Sequence, residues 1–250
     1  MKKVQVIVKP MGAIALATLI AVVLVGISSV RSRLMQRAEA ATLHPVGAAP
    51  KTGAATNANS DIDAGEQEEK DLLKTLNTPE QSHDWLFVGP LPSGSGIQTK
   101  ANSQDAQTQM ERIVTTSYLP SEAKYEGHEG ATLNVQGKAF HWRKLSGSAF
   151  DFKDIFTSPE TPTNSLKNVV VYGFTRFNSP KAQKKTLHFR SDDGAIVWLN
   201  GQQVLKATKI RGVREEDMVP VKLRAGQNTL LVKVGQGEGG WAMMTHFEDK

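Results

Sequence analysis

The chain has 250 residues and no cysteine, which excludes disulfide frameworks, thiolate catalysis and zinc–thiolate sites. Its 30 lysines and arginines are interspersed with 25 aspartates and glutamates, so the net charge of +5 is not gathered into a basic run. The charge pattern therefore gives no indication of a nucleic-acid partner.

An uncharged apolar segment comes first, from Met11 to Val30, and its roughly twenty residues are long enough to cross a membrane as one helix. Basic residues flank it on both sides, so the positive-inside rule does not orient it. We predict that residues 1–37 are an uncleaved signal-anchor, with the remaining chain on the periplasmic or extracellular side. The alternative is a cleaved signal peptide, because Ala38-Glu39-Ala40 has the small-x-small form of a cleavage site.

Residues 38–81 are rich in Ala, Thr, Asn, Gly and Pro at their start, and we predict a flexible linker. Within it, residues 66–76 predict a short helix, because Leu72, Leu73 and Leu76 share one face. That face could rest on the following domain or form a dimer. The first is favoured, since three leucines make a short seam.

Residues 82–250 predict an all-β domain, because short strand patterns alternate with turn signals as in an antiparallel sandwich. Ser93 to Gln109 is small and polar, and predicts a long surface loop. Residues 169–174 are nearly all apolar, which is typical of a strand covered on both faces. The strands are expected at residues 84–92, 140–145, 168–177, 185–190, 195–199, 202–206, 218–223, 229–234 and 241–247.

Two turns stand out in the middle of this domain. Asn200-Gly201 supplies the two positive-φ positions of a two-residue type I′ hairpin between residues 196–199 and 202–205. Asp192, Asp193 and Gly194 predict a second turn, with Gly194 left-handed and the acids accepting backbone amide hydrogen bonds.

Five motifs of this domain occur together, and they are Trp85-Leu-Phe-Val-Gly-Pro-Leu-Pro92, Ser191-Asp-Asp-Gly194, Val197-Trp-Leu-Asn-Gly201, Gly226-Gln-Asn-Thr-Leu-Leu-Val-Lys-Val234 and Gly239-Gly-Trp241. Together they resemble a jelly-roll module of the galactose-binding-like superfamily, and are similar to the sugar-binding domain of family 2 glycoside hydrolases. The Ser-Asp-Asp-Gly element also resembles the protective-antigen-type sandwich, in some lectin members of which an Asp-Asp pair binds calcium and sugar. The resemblance implies an antiparallel jelly-roll β-sandwich, while such modules serve binding, structural and interaction roles alike.

Asp192 and Asp193 are candidate calcium ligands, with Asn200 or backbone carbonyls completing an oxygen shell. Calcium needs six or more oxygens, and the sequence offers two carboxylates, so the turn role is favoured. Trp241 follows the glycine-rich residues 235–240, so its ring either lies at a loop edge as a candidate sugar-stacking surface or is buried in the core. The other tryptophans include Trp85 and Trp198, which lie in apolar strand patterns that favour burial.

The histidines lack metal-ligand spacing, so a metalloenzyme is unsupported. Glu122, Glu126, Asp151 and Asp217 could supply the acid and base of a glycosidase, but without a flanking motif they are expected to be solvated loop acids. We therefore predict a membrane-tethered, non-catalytic module that binds carbohydrate or another envelope polymer. The alternative is a protein-interaction or scaffold module of an envelope complex, and a glycoside-active enzyme is a third class.

Overall fold

The computed structural model describes residues 57–78, 83–93 and 104–249. The predicted anchor, its alternative cleavage site and the first part of the predicted linker lie outside these residues. Within them, no helix combines the length and the apolar character that a membrane crossing requires.

The described residues form short strands with three α-helices and two 3₁₀ turns, the latter at Glu122–Lys124 and Thr163–Ser165. In chain order the elements are α1 (Asn57–Leu76), β1 (His83–Pro92), α2 (Gln104–Thr115), β2 (Thr132–Val135), β3 (Lys138–His141), β4 (Arg143–Gly147), β5 (Ala149–Asp151), α3 (Phe152–Phe156), β6 (Val169–Ser179), β7 (Gln183–Asp192), β8 (Ala195–Leu199), β9 (Gln202–Ala207), β10 (Glu216–Leu223), β11 (Gly226–Gln236) and β12 (Ala242–Asp249).

Two antiparallel sheets make up the sandwich. The six-stranded sheet has the order β4-β1-β6-β11-β8-β9, and the four-stranded sheet has the order β10-β7-β12-β5. Their inner faces share one apolar core, in which Trp85, Phe87 and Val232 of the first sheet meet Phe189 and Met243 of the second. The predicted all-β antiparallel sandwich is confirmed.

The outer face of the six-stranded sheet is apolar as well, and a second cluster of side chains covers much of it. Helix α2, the residues that follow it and the β2–β3 hairpin supply this cover. Residues 169–175 of β6 are buried throughout, as a strand covered on both faces requires.

The prediction of a loop over Ser93–Gln109 is wrong in its last part, where α2 begins at Gln104. The buried side chains of α2 recur every three to four residues, which is the spacing of one helical face, and they are Ala106, Met110, Ile113 and Val114. Polar glutamines and threonines between them hid this periodicity. Gly235 allows the helix to approach β11, because a Cβ there would lie 2.8 Å from the side chains of Ile113 and Val114.

Helix α1 also differs from the prediction, since it begins at Asn57 rather than near residue 66. It continues through Gly65, where a glycine costs a helix about 1 kcal/mol relative to alanine. Leu73 is buried against Ala149, Ala242 and Met244, and Leu72 and Leu76 pack beside it. The leucine face therefore rests on the sandwich.

The two predicted turns have different outcomes. Asn200 and Gly201 have φ angles of 52° and 81°, and Leu199 pairs with Gln202, as a type I′ turn requires. Gly194 does not have a positive φ, so its predicted left-handed conformation is wrong. A glycine is needed there for packing instead, because a Cβ would lie 3.0 Å from the Ala207 carbonyl oxygen and the Met110 sulfur.

We expect Gly201→Val to lower the free energy of unfolding by about 1–3 kcal/mol, because a β-branched residue tolerates positive φ poorly. Gly201→Asn is the matched control, and its loss should be smaller because asparagine adopts this conformation readily. Urea denaturation of the purified variants measures both. Equal losses for the two would show that space near Lys124, rather than the turn conformation, sets the requirement for glycine.

Candidate functional site

A row of paired residues crosses the outer face of the six-stranded sheet. The strand register places Lys144 opposite Leu86, Leu86 opposite Phe174, Phe174 opposite Leu231 and Leu231 opposite Trp198. Directly opposed residues of antiparallel strands project to the same face, so these five form one line from β4 to β8. Phe174 lies at its centre.

The first pocket on this row, here called the turn pocket, has a volume of about 290 Å³. Phe174, Trp198 and Leu231 line its apolar part. Polar groups surround them, from the β8–β9 turn, the β10–β11 turn and the segment after α2. These are Lys124, Tyr125, Glu126, Asn200, Gly201, Arg224, Gln227 and Thr229, with Ala123 beside them.

The second pocket, here called the edge pocket, has a volume of about 330 Å³ and also includes Phe174. Leu86 contributes to its apolar part, and Asp84 and Lys144 form an ion pair of 2.6 Å beside it. That ion pair lowers the pKa of Asp84, chiefly through the hydrogen bond from Lys144. The remaining lining residues are Trp85, Gly127, His128, Glu129, Thr175 and Arg176.

Residues 122–129 form a wall between the two pockets. Glu126 pairs across it with Arg176 at 2.8 Å, and the Arg176 guanidinium carbon lies 4.6 Å from the centre of the Phe174 ring. Gly127 is required for this close crossing, because a Cβ would lie 3.1 Å from the Trp142 ring and 3.2 Å from Phe174 Cβ.

A buried ion pair holds the start of this wall. Lys233 projects from β11 with a side chain that is 0 % exposed, and its Nζ donates to Glu122 Oε1 at 2.6 Å and to the Thr116 carbonyl oxygen at 3.0 Å. The Tyr172 hydroxyl donates to the same Glu122 oxygen. Burial lowers the pKa of Lys233 and, together with the charge of Glu122, raises the pKa of Tyr172. The expectation that Glu122 is a solvated loop acid is therefore wrong.

The other candidate acids of a glycosidase also have structural partners. Glu126 pairs with Arg176, and Asp217 pairs with Arg211 at 2.6 Å. Asp151 caps helix α3 by accepting the first backbone amides of that helix.

Asp192 and Asp193 lie at the opposite end of β8 from Asn200. The two Asp193 carboxylate oxygens accept the backbone amides of Arg211 at 3.2 Å and Gly237 at 2.9 Å, which confirms the predicted amide bonds for this residue. The Asp192 carboxyl instead hydrogen-bonds with Glu69 of α1. Burial raises the pKa of both aspartates, and the nearby negative charge of Glu69 adds to the increase.

Asn200 does not join the aspartates, because the five residues of β8 separate them by about 17 Å at ~3.3 Å per residue. Of the two predicted ways to complete a calcium shell around Asp192 and Asp193, Asn200 or backbone carbonyls, the structure therefore excludes Asn200. Asn200 serves the hairpin instead: its Nδ2 donates to Asn228 Oδ1 at 2.8 Å, and its Oδ1 accepts the Thr229 amide at 3.0 Å. Asn228 further bonds Arg224 and Gly226.

Of the two alternatives for Trp241, the structure shows the buried ring and excludes the loop-edge ring. Trp241 is 1 % exposed and stacks on Phe156 at 5.5 Å, because α3 covers it. Trp85 and Trp198 are buried, as predicted, at 0 % and 5 % exposure. Across the described part of the chain, no group of three or more histidine, aspartate or glutamate side chains is arranged to hold a metal ion.

The sequence interpretation did not identify most residues of the two pockets. Phe174 and Leu231 lie in apolar runs that indicate core, and only the register places them beside Tyr125 and Arg224. One signal was present: Lys233 interrupts an otherwise apolar strand, and a buried lysine requires an acidic partner.

The sequence matches no protein-family model, and no curated protein shows a significant sequence match. Among solved structures, the chain is similar to a β-glucosidase from Kluyveromyces marxianus at 14 % identity and a TM-score of 0.39, over 49 % of this chain and 16 % of the glucosidase. An anti-sigma factor domain-containing protein is similar at 18 % identity and a TM-score of 0.31, over 41 % of this chain and 37 % of that protein. A family 35 carbohydrate-binding module from Clostridium thermocellum is similar at 17 % identity and a TM-score of 0.26, over 34 % of this chain and 72 % of the module.

The aligned part covers less than two thirds of the glucosidase and of the anti-sigma factor domain-containing protein. TM-scores this low establish neither a shared fold nor a shared ligand.

We expect Lys233→Met to lower the free energy of unfolding by about 3–5 kcal/mol, because it leaves the Glu122 carboxylate buried without its cation. The double variant with Glu122→Gln should recover part of this loss, since it removes the uncompensated charge. Chemical denaturation of the single and double variants measures the coupling. Strictly additive losses would mean that the two side chains do not stabilise each other.

Proposed function

We propose that this domain is a non-catalytic module that binds glycans, with the turn pocket as its main site. The observation that supports this most is the composition of the pocket, in which exposed hydrogen-bonding side chains surround an opening above the buried side chains of Phe174, Trp198 and Leu231. Such side chains can meet the hydroxyl groups of a sugar. Small-molecule sites generally combine an apolar lining with a few placed polar groups.

The rim of the turn pocket has exposed groups that could meet hydroxyls. Lys124, Arg224 and Gln227 are exposed, and each offers nitrogen donors to the pocket. The Asn200 side chain is already bonded to Asn228 and Thr229, so its role in the proposal is to hold the turn in place. Recognition would therefore come from the exposed rim groups above a fixed apolar floor.

Membrane tethering belongs to the same proposal and rests on the sequence. Residues 1–37 would anchor the protein, residues 38–81 would join the anchor to the domain, and the domain of residues 82–250 would act on the periplasmic or extracellular side. The glycan would then be an envelope or external polymer.

We also propose a structural calcium ion at Asp192 and Asp193, with backbone carbonyls in place of Asn200 completing its oxygen shell. Carboxylate oxygens are the ligands that calcium prefers. Glycines surround these carboxylates closely: a Cβ on Gly240 would lie 2.7 Å from Glu69 Oε2 and 2.9 Å from Asp192 Oδ2. The ion would stabilise the charged form of the two carboxyl groups, whose pKa is raised first by burial and further by neighbouring negative charge. Its place at the far end of β8 would separate it from the turn pocket.

The alternative function is a protein-interaction or scaffold module, and one observation favours it. Met218 is 64 % exposed on β10, which is an edge strand of the four-stranded sheet. Edge strands can pair with another chain.

The glycan proposal is tested by binding of the purified protein to a broad glycan array. We expect specific signal, and we expect Arg224→Ala to weaken it about tenfold, which corresponds to about 1.4 kcal/mol. Lys222→Ala, an exposed lysine nearby that does not line the pocket, is the matched control and should bind normally. A blank array would favour the protein-interaction alternative, to be pursued by cross-linking in membranes.

The calcium proposal is tested by thermal unfolding in calcium and in chelator. We expect calcium to raise the melting temperature, because an ion that binds only the folded state stabilises it by mass action. In chelator, Asp192→Asn should itself stabilise the protein at neutral pH. A carboxyl group whose pKa is raised on folding contributes its full stability only when the pH is below the pKa of the unfolded chain, and this contribution is lost as the pH rises through the folded-state pKa. Asparagine stays neutral, so it avoids that loss. Asp192→Asn should also abolish the response to calcium. Asp105→Asn, at an exposed position of α2, is the control and should keep the response. Equal melting temperatures of the wild type in calcium and chelator would remove calcium from the proposal.

A further inference from the structure

We infer that the turn pocket binds a sugar unit that carries a negative charge, and that Lys124 and Arg224 hold its anionic group. This inference rests on the proposed function and specifies the chemical class of its glycan. Both side chains line the turn pocket, and both are exposed. Among the residues that the structure describes, neither of them forms an ion pair with an acidic side chain. The pocket therefore offers two cations that have no counter-ion from the protein.

The acidic side chain in the pocket lining does not balance these two charges. It belongs to Glu126, which pairs with Arg176 at 2.8 Å. Arg176 lies outside the turn pocket, where its guanidinium carbon is 4.6 Å from the centre of the Phe174 ring. The charges of Lys124 and Arg224 consequently remain in excess at the opening. A one-sided charge of this kind raises the local concentration of anions and the rate at which they associate.

Both cations lie beside the same two-residue turn, although they are distant in sequence. Arg224 Nη2 donates to the carbonyl oxygen of Asn200 at 3.5 Å. Lys124 Cγ lies 3.3 Å from the position that a Cβ on Gly201 would occupy. Because Asn200 and Gly201 are consecutive residues, one anionic group beside this turn is within reach of both side chains. The arginine can bind such a group with two parallel hydrogen bonds, and the lysine adds a compact charge.

The backbone that carries each cation is fixed by buried groups. Asn228 accepts the Arg224 amide at 2.9 Å and donates to the Arg224 carbonyl oxygen at 3.0 Å. Lys124 ends the 3₁₀ turn that begins at Glu122, and the Glu122 carboxylate accepts from the buried Lys233 at 2.6 Å. The fold therefore sets the points from which the two charged side chains extend.

The form of the pocket favours a charged sugar over a flat anionic surface. The two cations belong to an opening of about 290 Å³ above Phe174, Trp198 and Leu231, which are each at most 5 % exposed. The exposed Gln227 lines the same opening, and its amide can both donate to hydroxyl groups and accept from them. A ligand that uses all of these groups combines an anionic substituent with neutral hydroxyls. Uronic acids and sulfated sugars have this chemistry.

The test is calorimetric titration of the full-length protein with matched pairs of charged and uncharged sugars. The carboxylate pairs are oligomers of galacturonic, glucuronic and mannuronic acid, each with its methyl ester. The sulfate pair is a sulfated galactan oligosaccharide with its desulfated form. We expect the charged member of at least one pair to bind about tenfold more tightly at low salt. High salt should reduce this preference, because it screens exposed charges.

Three substitutions assign the preference to the two cations. Lys124→Gln and Arg224→Gln should each remove most of the preference for the charged sugar, while binding of its uncharged form stays largely unchanged. Arg224→Lys retains the positive charge and should retain the preference. Lys222→Gln is the matched control, because it removes an exposed positive charge that does not line the pocket, and it should also retain the preference.

The remaining outcomes separate this inference from the proposed function. Equal affinities within every pair would overturn the charged ligand and leave the proposed glycan binding intact. A loss in Lys222→Gln as large as in the pocket variants would show attraction by the overall charge of the domain, and would overturn the assignment to Lys124 and Arg224. No binding to any glycan would overturn both proposals. If Arg224→Gln lowers the melting temperature, the result for Lys124→Gln decides the matter.

Discussion

The six-stranded sheet is apolar on both faces, and the arrangement of the rest of the domain depends on covering it. The inner face packs on the four-stranded sheet, as in any sandwich. On the outer face, α2, the wall of residues 122–129 and the small two-stranded β2–β3 sheet form the cover. The two pockets are openings in this cover above the row through Phe174, whose own side chain is only 1 % exposed.

The buried Lys233 is the point at which this cover is fixed. Its ammonium group lies within an apolar layer, 5.5 Å from the ring centres of both Tyr172 and Trp198, so it needs an anionic partner from the covering segment. Glu122 supplies that partner, and Thr116 supplies a carbonyl from the turn that follows α2. One cation from the sheet thus binds both ends of the segment that connects α2 to the wall.

Local chemistry explains which features could be predicted from the sequence. Asn200 and Gly201 require only their own backbone preferences to make a type I′ turn, and the apolar run of β6 requires only its composition to be a buried strand. Helix α2 was missed because glutamine and threonine conceal four buried side chains. The position of the Trp241 ring could not be decided from the sequence, because its cover comes from α3, a short helix distant in sequence. The pockets depend on register between five strands, and no local pattern encodes that register.

Asn228 has a consequence for how the turn pocket meets a ligand. Its buried amide bonds the β8–β9 turn through Asn200 and the β10–β11 turn through Arg224 and Gly226. The two turns form opposite sides of the same opening, and both are hydrogen-bonded to this one side chain. Neither turn can therefore move away from the other to widen the opening without breaking these bonds. The entropy loss of ordering loops, which weakens many binding sites, has already been incurred during folding. Selection at this opening would accordingly proceed by the shape of the incoming molecule, with little accommodation by the protein.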